Sequence, residues 1–366
     1  MYRVRSGGWV WHFIDAADWE VLGPRPDERG DDTETVKINP VRGVFRRAGY
    51  YLKCEMPRST GCFSIWREIL CPRARREFRC LCRLRRLGIP AVEPVAWGQS
   101  LAYSMLITRA WAGGIPAGDW FYRSCRNDPE RRAAFLRAWS AFFRRLQSSP
   151  LYHADFHNGN ILYRPETGEF ALVDAMAVRC RTPFDALRPL GMARILTEFR
   201  GILAKAELCA LIRDCGIPGD PEAFYARLWR HAAAFARHEW KKRRRQFLAG
   251  YPKFTLEKEG VVYALDLARG PVATPDRLAQ LEKVELPPEE AEARRVEDFR
   301  LFMTGVPALR AAAYRAPGTL YWERAIGEAD AAQRAELREM LELSGWDPAL
   351  FDYVTGADGR PYVRRK

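Results

Sequence analysis

The residues best suited to chemistry lie in Tyr152-His-Ala-Asp-Phe-His-Asn-Gly-Asn-Ile-Leu162, followed by Ala171-Leu-Val-Asp174. A polar, acidic loop flanked by apolar strands places its acids at strand ends and not in a core. The spacing is Asp155-x4-Asn160, then fourteen positions to Asp174 across a predicted hairpin. Phosphoryl transfer needs this combination. One carboxylate must accept or orient the proton of the substrate hydroxyl, and an amide with a second carboxylate must hold the magnesium ions that bridge nucleotide phosphates.

The elements that must position this loop can be read on either side of it. An aromatic strand spans Trp9 to Ile14, and a polar loop, GPRPDERGDD, follows at 23–32. Thr35–Ile38 reads as a strand, Asn39-Pro-Val-Arg-Gly43 as a turn, and Val44–Lys53 as a hairpin closed at Ala48-Gly49. After a loop with Pro57 and Gly61, a helix runs from about Ala74 to Leu87 and stops at Gly88, with Pro90 beyond. Strands are expected at Val92–Trp97 and Tyr103–Thr108. Past Gly113-Gly114 the pattern turns helical: Phe135, Leu136, Trp139, Phe142, Phe143 and Leu146 form one face of a helix over 131–147. A hairpin (Ile161–Tyr163, Phe170–Val173) and helices at 186–198, 205–214 and 221–248 follow. Strands before helices make a two-lobed α+β chain.

The loop resembles the catalytic loop of the protein-kinase-like superfamily, H-x-D-x-x-x-x-N, with a metal aspartate after a hairpin. That resemblance implies a small β-rich N-lobe and a mainly helical C-lobe. It makes Asp155 the catalytic base, Asn160 and Asp174 magnesium ligands, and His153 a brace for the loop. Such an enzyme needs a strand lysine for the α/β-phosphates and a helical glutamate to hold it. Lys53 ends the strand Tyr50-Tyr51-Leu52 and Glu77 opens the next helix, with Glu68 a competing acid. The phosphate-covering loop would be the turn with Gly43, through backbone amides around Val41–Val44. Adenine would lie against the backbone near Thr108-Arg109-Ala110-Trp111, so Thr108 and Ala110 are the expected contacts.

Ala74-Arg-Arg-Glu-Phe through Leu87-Gly-Ile-Pro90, followed by Pro94-Val-Ala-Trp-Gly98, is similar to the lipopolysaccharide core (Kdo/heptose) kinase family. The resemblance covers roughly 35–248 and implies ATP- and Mg²⁺-dependent phosphorylation of a sugar hydroxyl of a glycolipid, on the cytoplasmic side. The loop also looks like that of aminoglycoside- and choline-type phosphotransferases, which often carry a histidine where His157 stands. A soluble small-molecule kinase is therefore the second expectation, and an inactive scaffold with a basic binding surface the third. Asp174-Ala-Met replaces D-F-G, there is no A-P-E, and G-x-G-x-x-G is absent.

Composition sets the outer limits. The 366 residues include 48% hydrophobic and 12% aromatic positions, which excludes a disordered chain. A net charge of +13 calls for anionic partners: ATP, a phosphorylated glycolipid, and anionic lipid at a peripheral membrane contact. Eight arginines at 67–86 and Lys241-Lys-Arg-Arg-Arg245 carry much of it. No nucleic-acid-binding signature accompanies them, so nucleic acid is not expected. No apolar run exceeds five residues and no leader pattern opens the chain. The nine scattered cysteines read as free thiols of a cytoplasmic protein. The expected divisions are an N-terminal arm (1–34), an N-lobe (35–112), a catalytic C-lobe (113–250) and a helical C-terminal extension (251–366). Strands at Phe254–Leu256 and Val261–Leu265 and helices at 288–304 and 331–344 would make up that extension.

Overall fold

The computed structural model describes residues 1–23, 26–27, 32–56, 66, 69–101, 103–188, 190–264 and 278–366. Glu68, the Pro57–Gly61 loop, Cys62 and Leu265 lie outside the described residues, as does most of the polar 23–32 loop. Seven antiparallel strands form the N-terminal sheet: β1 (Tyr2–Ser6), β2 (Trp9–Phe13), β3 (Glu34–Asn39), β4 (Arg42–Arg47), β5 (Tyr50–Glu55), β6 (Pro94–Gln99) and β7 (Ser104–Arg109). Their order is β1-β2-β6-β7-β5-β4-β3. Within the stretch expected as an N-terminal arm, β1 and β2 extend the sheet, and Trp11 and Phe13 are fully buried in its core beside Leu52, Val95 and Ile107. The β4–β5 turn is Ala48-Gly49, both at positive φ (48° and 81°), which sets the register that puts Val44 across from Lys53 and Arg42 across from Glu55.

The helix Arg73–Arg86 packs on this sheet. Ala74, Glu77, Phe78, Leu81 and Leu84 form its buried stripe, at spacings that keep one helical face inward. Gly88 ends it at φ 68°, as the Gly-Ile-Pro sequence requires. That segment also anchors the next hairpin, β10 (Ile161–Arg164) with β11 (Glu169–Leu172). Leu172 N–H donates to Pro90 O, and Val92 N–H to Leu172 O, each at 3.0 Å.

The remaining elements are mainly helical up to Leu248: Pro129–Gln147, Lys205–Asp214 and Pro221–Leu248. This β-rich region followed by a helical one is the protein-kinase-like plan. A single helix over 186–198 does not form. Pro183–Ala186 is one short helix and Gly191–Phe199 a 3₁₀ segment, with Leu190 left-handed at φ 63° before it. Among the described residues no helix is long and apolar enough to cross a membrane, and the eight described cysteines are free.

The chain divides into two compact units, Met1–Gly118 with Ala138–Arg188, and Asp119–Arg137 with Pro189–Lys366. The described residues of 251–366 fall in the second unit, with the helices that precede them, and are as much sheet as helix. Beside the helices Pro288–Thr304 and Ala331–Ser344 stand a five-stranded and a three-stranded antiparallel sheet. Phe299 stacks on Phe247 at 4.2 Å and lies 6.2 Å from Trp240, so the extension covers an apolar face of the Pro221–Leu248 helix.

Candidate active site

Strand alternation puts Lys53 and Glu55 on one face of β5. The Arg73–Arg86 helix brings Glu77 to Lys53, and the end of β11 brings Asp174. Lys53 Nζ donates to Glu77 Oε2 at 2.7 Å and to Asp174 Oδ1 at 3.0 Å. Lys53, Glu77 and Asp174, which are far apart in the sequence, are thus one connected cluster. Burial pushes the Glu77 carboxyl above its usual range, and Lys53 offsets only part of that. Burial would raise Asp174 too, but Lys53 and then Arg42 outweigh it and hold that carboxyl below the usual range. Asp174 itself sits at φ 53° and ψ 56°, a left-handed conformation that Asp tolerates better than most residues and that occurs where a fold fixes a functional group.

The acidic loop has its own bracing. His153 is 1% exposed, pairs with Val178, and accepts the Asp155 N–H on Nδ1 at 3.3 Å. Ala154 N–H donates to Ala177 O, and Val173 N–H to Asn160 O, each at 3.0 Å, so the loop and the Asp174 segment hold each other. Asn160 Nδ2 donates to Asp155 O at 3.0 Å, which turns the amide oxygen to other partners. Buried Trp139 reaches Asn158 Oδ1 at 3.3 Å, and Phe143 packs 6.1 Å from Phe156, so the aromatic face of the Pro129–Gln147 helix floors the loop. In contrast, the Asp155 carboxylate is 69% exposed, open to an incoming hydroxyl. His157 Nδ1 accepts the Gly159 N–H at 3.1 Å, a local turn contact, and its Nε2 is 3.8 Å from Asp155.

Three residues expected to contact the nucleotide are placed as follows. Gly43 is buried in the sheet between Ile38 and Cys54, and a Cβ there would meet the Phe45 ring at 2.8 Å. Ala110 N–H donates to Gly49 O at 2.8 Å. Thr108 is a buried strand residue paired with Tyr51 and Pro94.

Sequence reading missed three members of the cluster. Glu55, with a side chain 3% exposed, accepts from Arg73 Nη1 at 3.4 Å and forms ion pairs with Arg42 Nε at 2.7 Å and with Lys53 at 3.9 Å. Arg42 Nη1 also donates to Asp174 Oδ2 at 3.0 Å. The available signal was an acid two residues after Lys53 on the same strand face, which burial obliges to find cations. For a metal, the donors are hard oxygens, the Asp174 carboxylate and the Asn160 amide, and Asp174 already draws two cations. That suits Mg²⁺, which takes one or two protein ligands and fills its shell with water and phosphate. No group of three or more His, Cys, Asp or Glu suited to a metal occurs among the described residues.

The fold is protein-kinase-like. Residues 46–202 match the model of the family described as Lipopolysaccharide kinase (Kdo/WaaP) family, a stretch that holds Lys53, Glu77, Asp155, Asn160 and Asp174. The chain is a kinase. No curated protein gives a sequence match. Solved structures similar to it include "WaaP in complex with acyl carrier protein" (16% identity, 60% of this chain and 95% of that one, TM-score 0.43). A type VIII aminoglycoside-3'-phosphotransferase is another (18%, 57% and 96%, 0.39). A third is aminoglycoside phosphotransferase APH(3'')-Id from Streptomyces rimosus (17%, 59% and 98%, 0.39).

Proposed function

We propose that this kinase moves the terminal phosphoryl group of ATP to a sugar hydroxyl of a lipopolysaccharide-like glycolipid, on the cytoplasmic side and beside the membrane. The observation that carries the phosphotransfer reading is Lys53, bound at once to Glu77 and Asp174. The family match supports the acceptor class. Asp155 takes the proton of the acceptor hydroxyl as its oxygen bonds to the γ-phosphorus and the bond to the ADP oxygen breaks. Lys53, fixed by Glu77, aligns the α- and β-phosphates, and His153 keeps the loop amide of Asp155 in place. Asn160 and Asp174 would hold Mg²⁺, which supplies charge neutralisation on the phosphates when bound. Positioning and electrostatic stabilisation then account for most of the rate.

The test offers radiolabelled ATP and Mg²⁺ to envelope and cytosolic fractions. Label should enter the glycolipid fraction and vanish with Asp155→Asn. Label confined to soluble metabolites would replace the acceptor with a small molecule. Nucleotide binding without transfer to any fraction would leave a scaffold.

A further inference from the structure

The turn between β3 and β4 stands where a phosphate-covering loop is needed, yet its backbone cannot serve. Pro40 has no N–H, and Val41 N–H is taken by Asn39 Oδ1 at 3.1 Å. From Arg42 onward the chain is in β4, which is paired on both edges, with β3 and with β5. Amides that already bond to Asn39 or to a sheet ladder are not available to phosphate oxygens. A nucleotide at Lys53 would thus meet a covering turn without free donors, unless a side chain supplies them.

We infer that Arg42 is that side chain: a second phosphate ligand, beside Lys53, that replaces a glycine-rich cradle with a guanidinium fork. The inference rests on the nucleotide site proposed above. Glu55 holds two arginines in different ways. Its Oε2 accepts from Arg73, which is 2% exposed, while its Oε1 forms an ion pair with Arg42, Nε lying at 2.7 Å. The Arg42 side chain is 23% exposed and extends Nη1 to Asp174 Oδ2 at 3.0 Å. One guanidinium edge is therefore fixed from below while the other reaches the rim where Lys53 also ends, 3.0 Å from the same carboxylate. Arg42, Lys53 and Arg73 balance Glu55, Glu77 and Asp174, so the cluster is neutral as it stands. Asp174 would hold the metal, which would supply charge neutralisation there, and the Arg42 Nη groups, still ion-paired to Glu55 through Nε, would be free to donate to phosphate oxygens, which a planar fork suits better than a lysine.

Calorimetric titration of the whole chain with Mg²⁺·ATP, Mg²⁺·ADP and adenosine tests this. Arg42→Met should weaken Mg²⁺·ATP by about tenfold or more, the range of a charge-assisted hydrogen bond, and leave adenosine unchanged. Arg42→Lys should fall between the two, which guards against a folding defect, and melting curves of both variants should match the parent. Glu55→Gln should raise the KM for ATP several-fold with kcat nearly held, whereas a purely structural role would lower kcat at constant KM. If Asp174→Asn loses Mg²⁺·ATP while Arg42→Met binds it like the parent, Arg42 is no phosphate ligand and the site reading stands. Tighter Mg²⁺·ATP binding by Arg42→Met also overturns the inference, since Arg42 would then only compete with the metal. If neither Asp174→Asn nor Lys53→Met alters Mg²⁺·ATP binding, the site reading and this inference fall together.

Discussion

Arginine is used in two opposite ways in the two units. In the first, Arg42 and Arg73 bind carboxylates, and Arg42 shares Asp174 with Lys53. In the second, the interior arginines mostly bind backbone carbonyls. Arg200 donates to Thr304 O at 2.8 Å and also to the carbonyls of Thr197 and Met303. Arg360 donates to Arg126 O at 3.0 Å and to Ile202 O at 3.3 Å, and buried Arg126 reaches Tyr362 Oη at 2.7 Å. Carboxylates at a partly open rim can exchange a side-chain cation for a metal or a phosphate-bound one. Carbonyls buried in a chain have no such exchange, so arginines on them act as staples. Gly305, at φ 81°, leaves the space that Arg200 fills, since a Cβ there would meet its Nε at 2.7 Å. A share of the +13 charge is therefore spent inside the fold and does not advertise an anionic partner.

The largest effects expected from this contrast are catalytic. Asp174→Asn or Asp155→Asn should cut phosphotransfer by about 10²–10⁴-fold, the range for a lost acid–base or charge-stabilising group. Thermal melting should change little for Asp155→Asn, 69% exposed, and far less than activity for Asp174→Asn, 30% exposed and paired with Lys53 and Arg42. Loss of fold in step with activity would break the comparison, since the first cluster would then be a staple too. The mirror experiment is Arg200→Met. It orphans two or three carbonyls at about 1–3 kcal/mol each, so a loss of about 2 kcal/mol or more is expected. In a unit of this size that lowers the melting temperature by about 4–8 °C. Activity per folded molecule should hold. A neutral melting temperature would show those carbonyls to be satisfied by water.

The helices at 205–214, 221–248, 288–304 and 331–344 coincide with their sequence expectation because apolar period and stop signals agree there. Asp174 was legible from its spacing to Asp155 and Asn160, and Lys53 and Glu77 only as the strand lysine and helical acid that the kinase resemblance implies, with Glu68 a rival; the structure brings Lys53, Glu77 and Asp174 into contact. Glu55 was not, because a strand carries no sign of which face a helix will cover. Arg42 was hidden among many arginines, and only the β4–β5 register sets it opposite Glu55. The strands Glu282–Glu285, Ala311–Arg315 and Thr319–Trp322 also escaped notice. Runs such as Ala311-Ala-Ala have no period-2 alternation and become strands through pairing with distant partners.

A pH dependence also separates the units. Asp298, 5% exposed on the Pro288–Thr304 helix, accepts the Ala311 N–H on Oδ2 at 3.1 Å. Burial raises its pKa from 3.8 to about 6, against the pull of that N–H and of Arg294 and Arg310. The folded chain then binds more protons than the unfolded one between 3.8 and about 6. Stability from this group is present at low pH and is lost as pH rises through that window, at a cost on the order of 3 kcal/mol by neutral pH. Asp174 has the opposite sign: its lowered pKa adds stability above the ordinary carboxylate range, lost as pH falls. Asp298→Asn keeps an oxygen for Ala311 N–H and removes the charge, so melting temperature against pH should flatten between about 4 and about 6 and rise at pH 7. An unchanged slope would mean that Asp298 is already ionised and compensated, and that the second unit, like the first, balances its buried carboxylates with side-chain cations.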